Sequence, residues 1–198
     1  MKHKNLDKLI LTDADGVLLD WEWAFNIWMQ EHGFVEVPGS KLNYDMSVRY
    51  NISREQVVKL IRIFNESAAI GFLPALRDAM YYVKRLHEEH GFRFHCITSL
   101  SLDPNAKKLR EMNLNKLFGT SAFEHIVCLD TGADKVEALS QYKDTGCYWI
   151  EDKWENAIAG HNAGLKSILI EHGHNMHEYH PNIPIMKNWK QIYEQLTA

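Results

Sequence analysis

Two carboxylates stand two residues apart, Asp13 and Asp15, at the end of the apolar run Leu9-Ile10-Leu11. Side chains alternate along a strand, so this spacing turns both acids to one side. Such a pair at the end of a buried strand is costly unless a cation compensates it. Gly16 follows and opens backbone shapes closed to other residues. The stretch reads as a site for a hard metal and a phosphate; a solvated D-x-D-G turn is the alternative. Further along, Thr98 and Ser99 end one apolar stretch, Lys135 opens a helix, and Glu151 and Asp152 end another stretch. Taken singly, Thr98 is a strand-end threonine, Lys135 a surface lysine and Glu151-Asp152 the start of a helix favoured by its dipole. Together they are what phosphoryl transfer requires: a nucleophile, a proton donor, metal ligands and donors for phosphate oxygens.

The elements that must bring these residues together follow from periodicity. Residues 9–11, 92–99, 125–130, 146–152, 166–171 and 183–186 have strand character, and helical patterns separate most of them. Asp103-Pro104 is an N-cap with proline at N1, opening a helix to about 113. Short helices are expected over 134–141 and from 154, the latter with Trp154, Ala157, Ile158 and His161 on one face, and Asn188 caps the last. Alternation of this kind implies parallel β-α-β units and a doubly wound, Rossmann-like α/β sheet. Ligands in such sheets bind at the carboxyl ends of strands, where all the residues above fall. One block breaks the alternation. Trp21, Ala24, Phe25, Trp28 and Met29 form a helical stripe closed by Gly33, residues 34–51 read as irregular, and Ser53-Arg54-Glu55-Gln56 is a capping box before Val57, Leu60, Ile61 and Phe64. A further helix is expected to start after Pro74, with Leu76, Ala79, Met80, Val83 and Leu86 inward. The division is therefore a core of residues 1–19 and 73–198 with a helical cap, 20–72, inserted after the first strand.

Composition narrows the partners. Of 198 residues, 45% are hydrophobic and 24% charged, which is ordinary for a globular protein with a sizeable core. The net charge of −4 gives no basic surface for a nucleic-acid polymer or an anionic membrane. No apolar run approaches the ~18 residues that span a bilayer, and no signal-type segment follows the N-terminal lysines, so a cytoplasmic location is expected. Cys96, Cys128 and Cys147 form no C-x-x-C pair and read as reduced core residues inside strands. Four histidines, His172, His174, His177 and His180, fall within one short segment and could bind zinc or nickel. Without helical spacing the segment is expected to be a solvated loop.

The order of motifs resembles the haloacid dehalogenase superfamily of phosphohydrolases over nearly the whole chain. Its first motif matches residues 11–17 (LTDADGV), with Val17 for the commoner threonine. The second matches 95–98 (HCIT), the third Lys135, and the fourth Ile150-Glu151-Asp152 with Asn156 four residues on. Glu151 stands where Gly or Asp is usual, and Asn156 where a last Asp often stands. The opening DADGVLLDW is similar to that of the superfamily's 5'-deoxyribonucleotidases, and a helical insertion after the first motif is similar to its small cap. The resemblance implies roles. Asp13 attacks phosphorus, and Asp15 protonates the leaving oxygen and then activates water. Mg²⁺ is held by Asp13, the Asp15 carbonyl and Asp152. Thr98 and the Ser99 backbone bind phosphoryl oxygens, and Lys135 neutralises their charge. The implied function is a Mg²⁺-dependent phosphomonoesterase acting on a small phosphate ester. A phosphomutase or sugar-phosphate phosphatase uses the same residues. A receiver-type phospho-acceptor is disfavoured by the D-x-D spacing and the insertion, and a binding protein without turnover by the intact Asp13, Asp15, Lys135 and Asp152. The insertion is rich in aromatics, with Arg49 and Arg54 nearby. Trp23 and Tyr44 fit neither helical stripe, and both are candidates to stack on a nucleobase.

Overall fold

The computed structural model describes residues 6–198. Six strands form one parallel sheet: β1 Leu9–Thr12, β2 Arg93–Ser99, β3 Phe123–Leu129, β4 Tyr148–Glu151, β5 Lys166–Ile170 and β6 Ile185–Met186. Their order across the sheet is β3-β2-β1-β4-β5-β6. The chain winds one way from β1 to β3 and the other way from β4 to β6, so β1 and β4 lie side by side at the reversal. Alternation in β1 sends Ile10 into the main apolar cluster and Leu9 and Leu11 into a second one on the other face. The β1–β4 register pairs Thr12 with Ile150, and the Asp13 N–H donates to the Ile150 carbonyl at 2.9 Å. The next residues on the two strands, Asp13 and Glu151, therefore leave the sheet together.

Eight α-helices accompany the sheet. Three follow β1: α1 Trp21–Glu31, α2 Met46–Tyr50 and α3 Arg54–Glu66, with a short 3-10 helix at Ala68–Phe72. Then come α4 Ala79–Glu88, α5 Pro104–Phe118, α6 Val136–Ser140, α7 Trp154–Asn162 and α8 Trp189–Thr197. The expected caps Ser53, Asp103 and Asn188 each accept a first-turn backbone N–H, and Asp20 caps α1 in the same way. The helical insertion leaves and re-enters the sheet domain through one narrow neck. Leu19 bridges Ala75 antiparallel, Asp20 N–H donates to the Pro74 carbonyl, and Leu76 N–H to the Leu18 carbonyl. The insertion has no separate core, because Phe25, Met29, Tyr50 and Phe64 belong to the same buried cluster as Ile10 and Phe94.

Several local expectations are corrected. Residues 34–51 contain α2, five residues capped by Asp45 and too short to show a period. The helix after Pro74 begins only at Ala79, because Arg77 takes a positive φ of 44°. Leu76 is buried outside that helix, and Met80 is largely exposed. α5 runs on to Phe118, past the expected 113. On α7 the expected row holds in part, with Ala157 buried and Trp154 and Ile158 packed against its cluster; Asn156 and Gly160 are buried as well, Gly160 against the Trp149 ring with no room for a Cβ. Cys147 precedes β4 rather than lying in it. All three cysteines are unpaired.

Candidate active site

The carboxyl ends of β1 and β4 carry three carboxylates in one cluster. Asp13, Glu151 and Asp152 present oxygens that all lie within 4.8 Å of one another. A single cation sits among them. Lys135, at the start of α6, reaches Asp13 Oδ2 at 2.6 Å and Glu151 Oε2 at 2.8 Å, and its side chain is 1% exposed. The Trp149 ring flanks the ammonium at 5.3 Å. Burial opposes the charge on Lys135, but the two carboxylates outweigh it and hold the ammonium firmly protonated. Glu151 is fully buried and spoken for: its other oxygen accepts from Lys153 N–H at 3.1 Å and from the Asn156 amide at 3.3 Å. Asp152 has no such cation. Burial, then the charges of Glu151 and Asp13, push its carboxyl well above the usual range. Three carboxylates against one ammonium leave two negative charges in excess when all are ionised, a deficit of the size a divalent cation fills. Gly16 is required here for space as well as for its positive φ of 73°, since a Cβ would stand 2.4 Å from Asp152 Oδ2.

Asp15 belongs to a different arrangement. Both its oxygens are bound by Arg110 of α5, at 2.6 and 2.9 Å, in a bidentate pair with Arg110 fully buried. Desolvation raises the Asp15 carboxyl above its ordinary range, and Arg110 only partly offsets this. No local pattern marks this partner. Arg110 lies mid-helix, where nothing distinguishes it from the neighbouring Lys107 and Lys108.

Thr98 ends β2 with its hydroxyl buried and without a hydrogen-bond partner. An orphaned hydroxyl at a strand end beside this cluster is what a bound oxyanion would satisfy. The Ser99 hydroxyl is already donated to the Ala133 carbonyl at 2.7 Å, which leaves only its backbone for a ligand. The acidic cluster, the orphaned Thr98 hydroxyl and the Gly16–Asp152 approach together fit a divalent metal with a phosphate. Asp152, and Asp13 alongside its bonds to Lys135 and the Ala14 N–H, are the acids that could hold the metal. The Asp15 carboxylate is held instead by Arg110, so only the Asp15 carbonyl could serve.

Two loops frame this end of the sheet. From the insertion, Leu42, Asn43 and Tyr44 line a hollow of about 440 Å³ together with His174 and His177. The Tyr44 ring is 54% exposed and lies 4.9 Å from the His174 ring. Burial, and next the charges of Asp152, Glu151 and Asp13, raise the Tyr44 phenol well above its ordinary value. Trp23 stands 55% exposed on the first turn of α1. Phe72, at the end of the insertion, is exposed as well, and the remaining insertion aromatics are packed inward. Phe25 stacks on Trp21 at 4.6 Å and meets Tyr50 and Phe64 edge-on. Arg49, a candidate phosphate partner by its position, is buried between Glu22 and Glu36 and is not available. The histidine segment also departs from expectation. His177 and Tyr179 are solvated, but His172, His174 and Asn175 fold back onto the site. Among the described residues the histidines form no metal-ligating group; the acidic trio does.

No protein-family model matches the chain. An uncharacterized 32.4 kDa protein of Enterobacteria phage T4 is 29% identical over 140 residues, covering 68% of this chain and 49% of that protein. The chain thus spans about half the length of that curated relative. Among solved structures, a haloacid dehalogenase-like hydrolase from Streptococcus pneumoniae superimposes with a TM-score of 0.65 at 16% identity, over 95% of this chain and 97% of that one. The fold is that of the haloacid dehalogenases. CbbY from Rhodobacter sphaeroides, solved in complex with phosphate, shares the haloacid dehalogenase fold at a TM-score of 0.61 and 18% identity, over 93% of this chain and 96% of that one. A variant of CbbY has also been solved with xylulose-(1,5)bisphosphate. No helix among the described residues is long and apolar enough to cross a membrane.

Proposed function

We propose that the chain is a divalent-metal-dependent phosphomonoesterase of the haloacid dehalogenase type, with Mg²⁺ as its metal, residues 20–72 as its cap and a cytoplasmic location. The observation that carries this reading is the Asp13–Lys135–Glu151–Asp152 cluster, undercompensated by two charges when all its acids are ionised, with the orphaned Thr98 hydroxyl near the end of the neighbouring strand β2.

Asp13 is the nucleophile. One of its oxygens is fixed by the Ala14 N–H at 2.6 Å and the other by Lys135, so the carboxylate is oriented before substrate arrives. Attack on phosphorus forms an aspartyl-phosphate and breaks the ester bond. Asp15, once protonated and released from Arg110, gives its proton to the departing oxygen, then takes one from the water that hydrolyses the intermediate. Its raised pKa suits the first of these duties. Lys135 and the Thr98 hydroxyl donate to phosphoryl oxygens. Asp13, Asp152 and the Asp15 carbonyl would hold the metal, which would supply charge neutralisation at the phosphoryl group when bound.

The ester's leaving group occupies the hollow between Tyr44 and the histidine turn. Its walls are aromatic and hydrogen-bonding, and the residues lining it include no carboxylate or lysine. This supports a neutral, ring-bearing leaving group, and a nucleoside monophosphate, in particular a deoxyribonucleotide, is the reading we favour. Tyr44 is the residue we assign to stack on the base, at roughly 1–3 kcal/mol. Trp23 is assigned the same role at lower rank, since it is exposed on α1 away from this hollow's lining. A sugar phosphate is the second reading, favoured by the fold shared with CbbY.

The test is phosphate release from nucleoside monophosphates, hexose phosphates and triose phosphates, with Mg²⁺ and with excess chelator. The proposal expects metal-dependent release, with nucleotides preferred and the preference reduced most in Tyr44→Ala and less in Trp23→Ala. Undiminished release in chelator would remove the metal mechanism. A preference for sugar phosphates that Tyr44→Ala leaves unchanged would remove the base-stacking role alone.

A further inference from the structure

The turn after β5, residues 172–175, is polar, and the mechanism above gives no role to two of its residues, the half-buried His172 and the buried Asn175. No residue from 171 to 182 belongs to any of the apolar clusters of the described residues, so hydrophobic burial does not explain its position. Asn175 is 1% exposed although it lies in a loop. Its amide donates to the Asp152 carbonyl at 2.6 Å and to the Ile170 carbonyl at 2.8 Å, and its oxygen accepts from His172 N–H at 2.8 Å. Both ends of the amide are therefore in use. The His172 ring donates from Nε2 to the Gly16 carbonyl at 2.7 Å. A carbonyl can only accept, so that nitrogen carries the hydrogen. His174 Nε2 adds a longer bond to the Asp152 carbonyl, 3.3 Å, and its ring stacks on that of His172.

These bonds tie the two loops together beyond the point where the β1–β4 ladder ends. Gly16 lies on the loop that follows β1 and carries Asp13 and Asp15. Asp152 lies on the loop that follows β4. Gly16 and the Asp152 carboxylate are already in contact, so a small shift of either loop moves a metal ligand. The Asp152 side chain has no cation to orient it, and its backbone is fixed from behind by Asn175.

We propose that His172 and Asn175 are positioning residues that hold the Asp152 loop against the Gly16 loop and thereby set the affinity of the site for a divalent cation. This rests on the metal site assigned under the proposed function. Partners of this kind behind a metal ligand are worth about 10–100-fold in affinity.

The experiment is Mn²⁺ binding to the substrate-free protein by electron paramagnetic resonance, with thermal unfolding in chelator as the control for folding. Asn175→Ala and His172→Leu are expected to weaken Mn²⁺ binding by about 10–100-fold. His172→Gln, whose amide can replace the ring donor to Gly16, is expected to stay within a few-fold of wild type. Should Asn175→Ala fail to fold, the His172→Leu and His172→Gln pair decides alone. Unchanged affinity in the folded variants, or equal losses in His172→Leu and His172→Gln, overturns the positioning role and leaves the phosphatase reading intact. A wild-type protein that binds no Mn²⁺ overturns both.

Discussion

Two buried acid–cation arrangements stand side by side at the end of β1, and they are balanced differently. Asp15 and Arg110 form a closed pair: one carboxylate, one guanidinium, two hydrogen bonds. Lys135 is shared by Asp13 and Glu151, with Asp152 left over. The closed pair needs nothing further. The open cluster is costly as it stands and is relieved by a ligand of positive charge. The same residue types thus serve two ends. A complete pair fixes a side chain, whereas an incomplete one makes a binding site.

The comparison can be broken at several points. The largest effect is expected from Asp13→Asn, which removes the nucleophile and abolishes phosphate release while far-UV circular dichroism stays native. Substantial turnover in that variant would show that the open cluster is not the reaction centre. Next comes the closed pair. Asp15→Asn leaves a buried guanidinium without its counter-charge and should cost about 3–5 kcal/mol in denaturant unfolding. It should also slow turnover by ~10²-fold or more. The loss should be larger for alkyl than for aryl phosphates, because only poor leaving groups need the proton.

The third prediction uses the metal. Lys135→Met and Arg110→Met each strand buried carboxylate, and both should lower the melting temperature in chelator. A divalent cation should recover a large part of the deficit in Lys135→Met and little in Arg110→Met, since only the first defect lies in the open cluster. Equal recovery would erase the distinction between the two arrangements. The smallest effect has the opposite sign. Asp152→Asn should modestly stabilise the metal-free protein at neutral pH. Burial holds the Asp152 carboxyl above its unfolded value, so the unfolded chain ionises first as pH rises. The cost of Asp152 is then absent at pH below the unfolded value and grows above it, and the advantage of Asn should shrink on acidification. A destabilised Asp152→Asn in chelator would mean that the aspartate is already compensated.

Most of the sheet was legible in the sequence because each strand is short, apolar and followed by capping chemistry that a single residue announces, such as Asp103-Pro104 or Asn188. The residues at the strand ends were legible for the same reason, since a strand's end fixes where its next side chains go. Three parts were not. Arg110 reaches Asp15 across 95 positions, and its partner is set by how α5 packs rather than by any local pattern. The 172–175 turn looked like a solvated histidine loop because its value lies in hydrogen bonds to main-chain carbonyls, which have no sequence signature. The aromatics of the insertion could be counted but not placed. Packing consumed Trp21, Phe25, Trp28 and Tyr50 and left Tyr44 near the acids.

The central claim is that the open cluster performs phosphoryl transfer through Asp13. It is tested most directly by stopping turnover with acid and reducing the protein with borohydride, which converts an aspartyl-phosphate to homoserine. Peptide mass analysis then reports which position was phosphorylated. The account predicts homoserine at position 13, dependent on both substrate and divalent metal and missing in Asp13→Asn. Turnover with no modified residue, or modification at another acid such as Asp152, would contradict it.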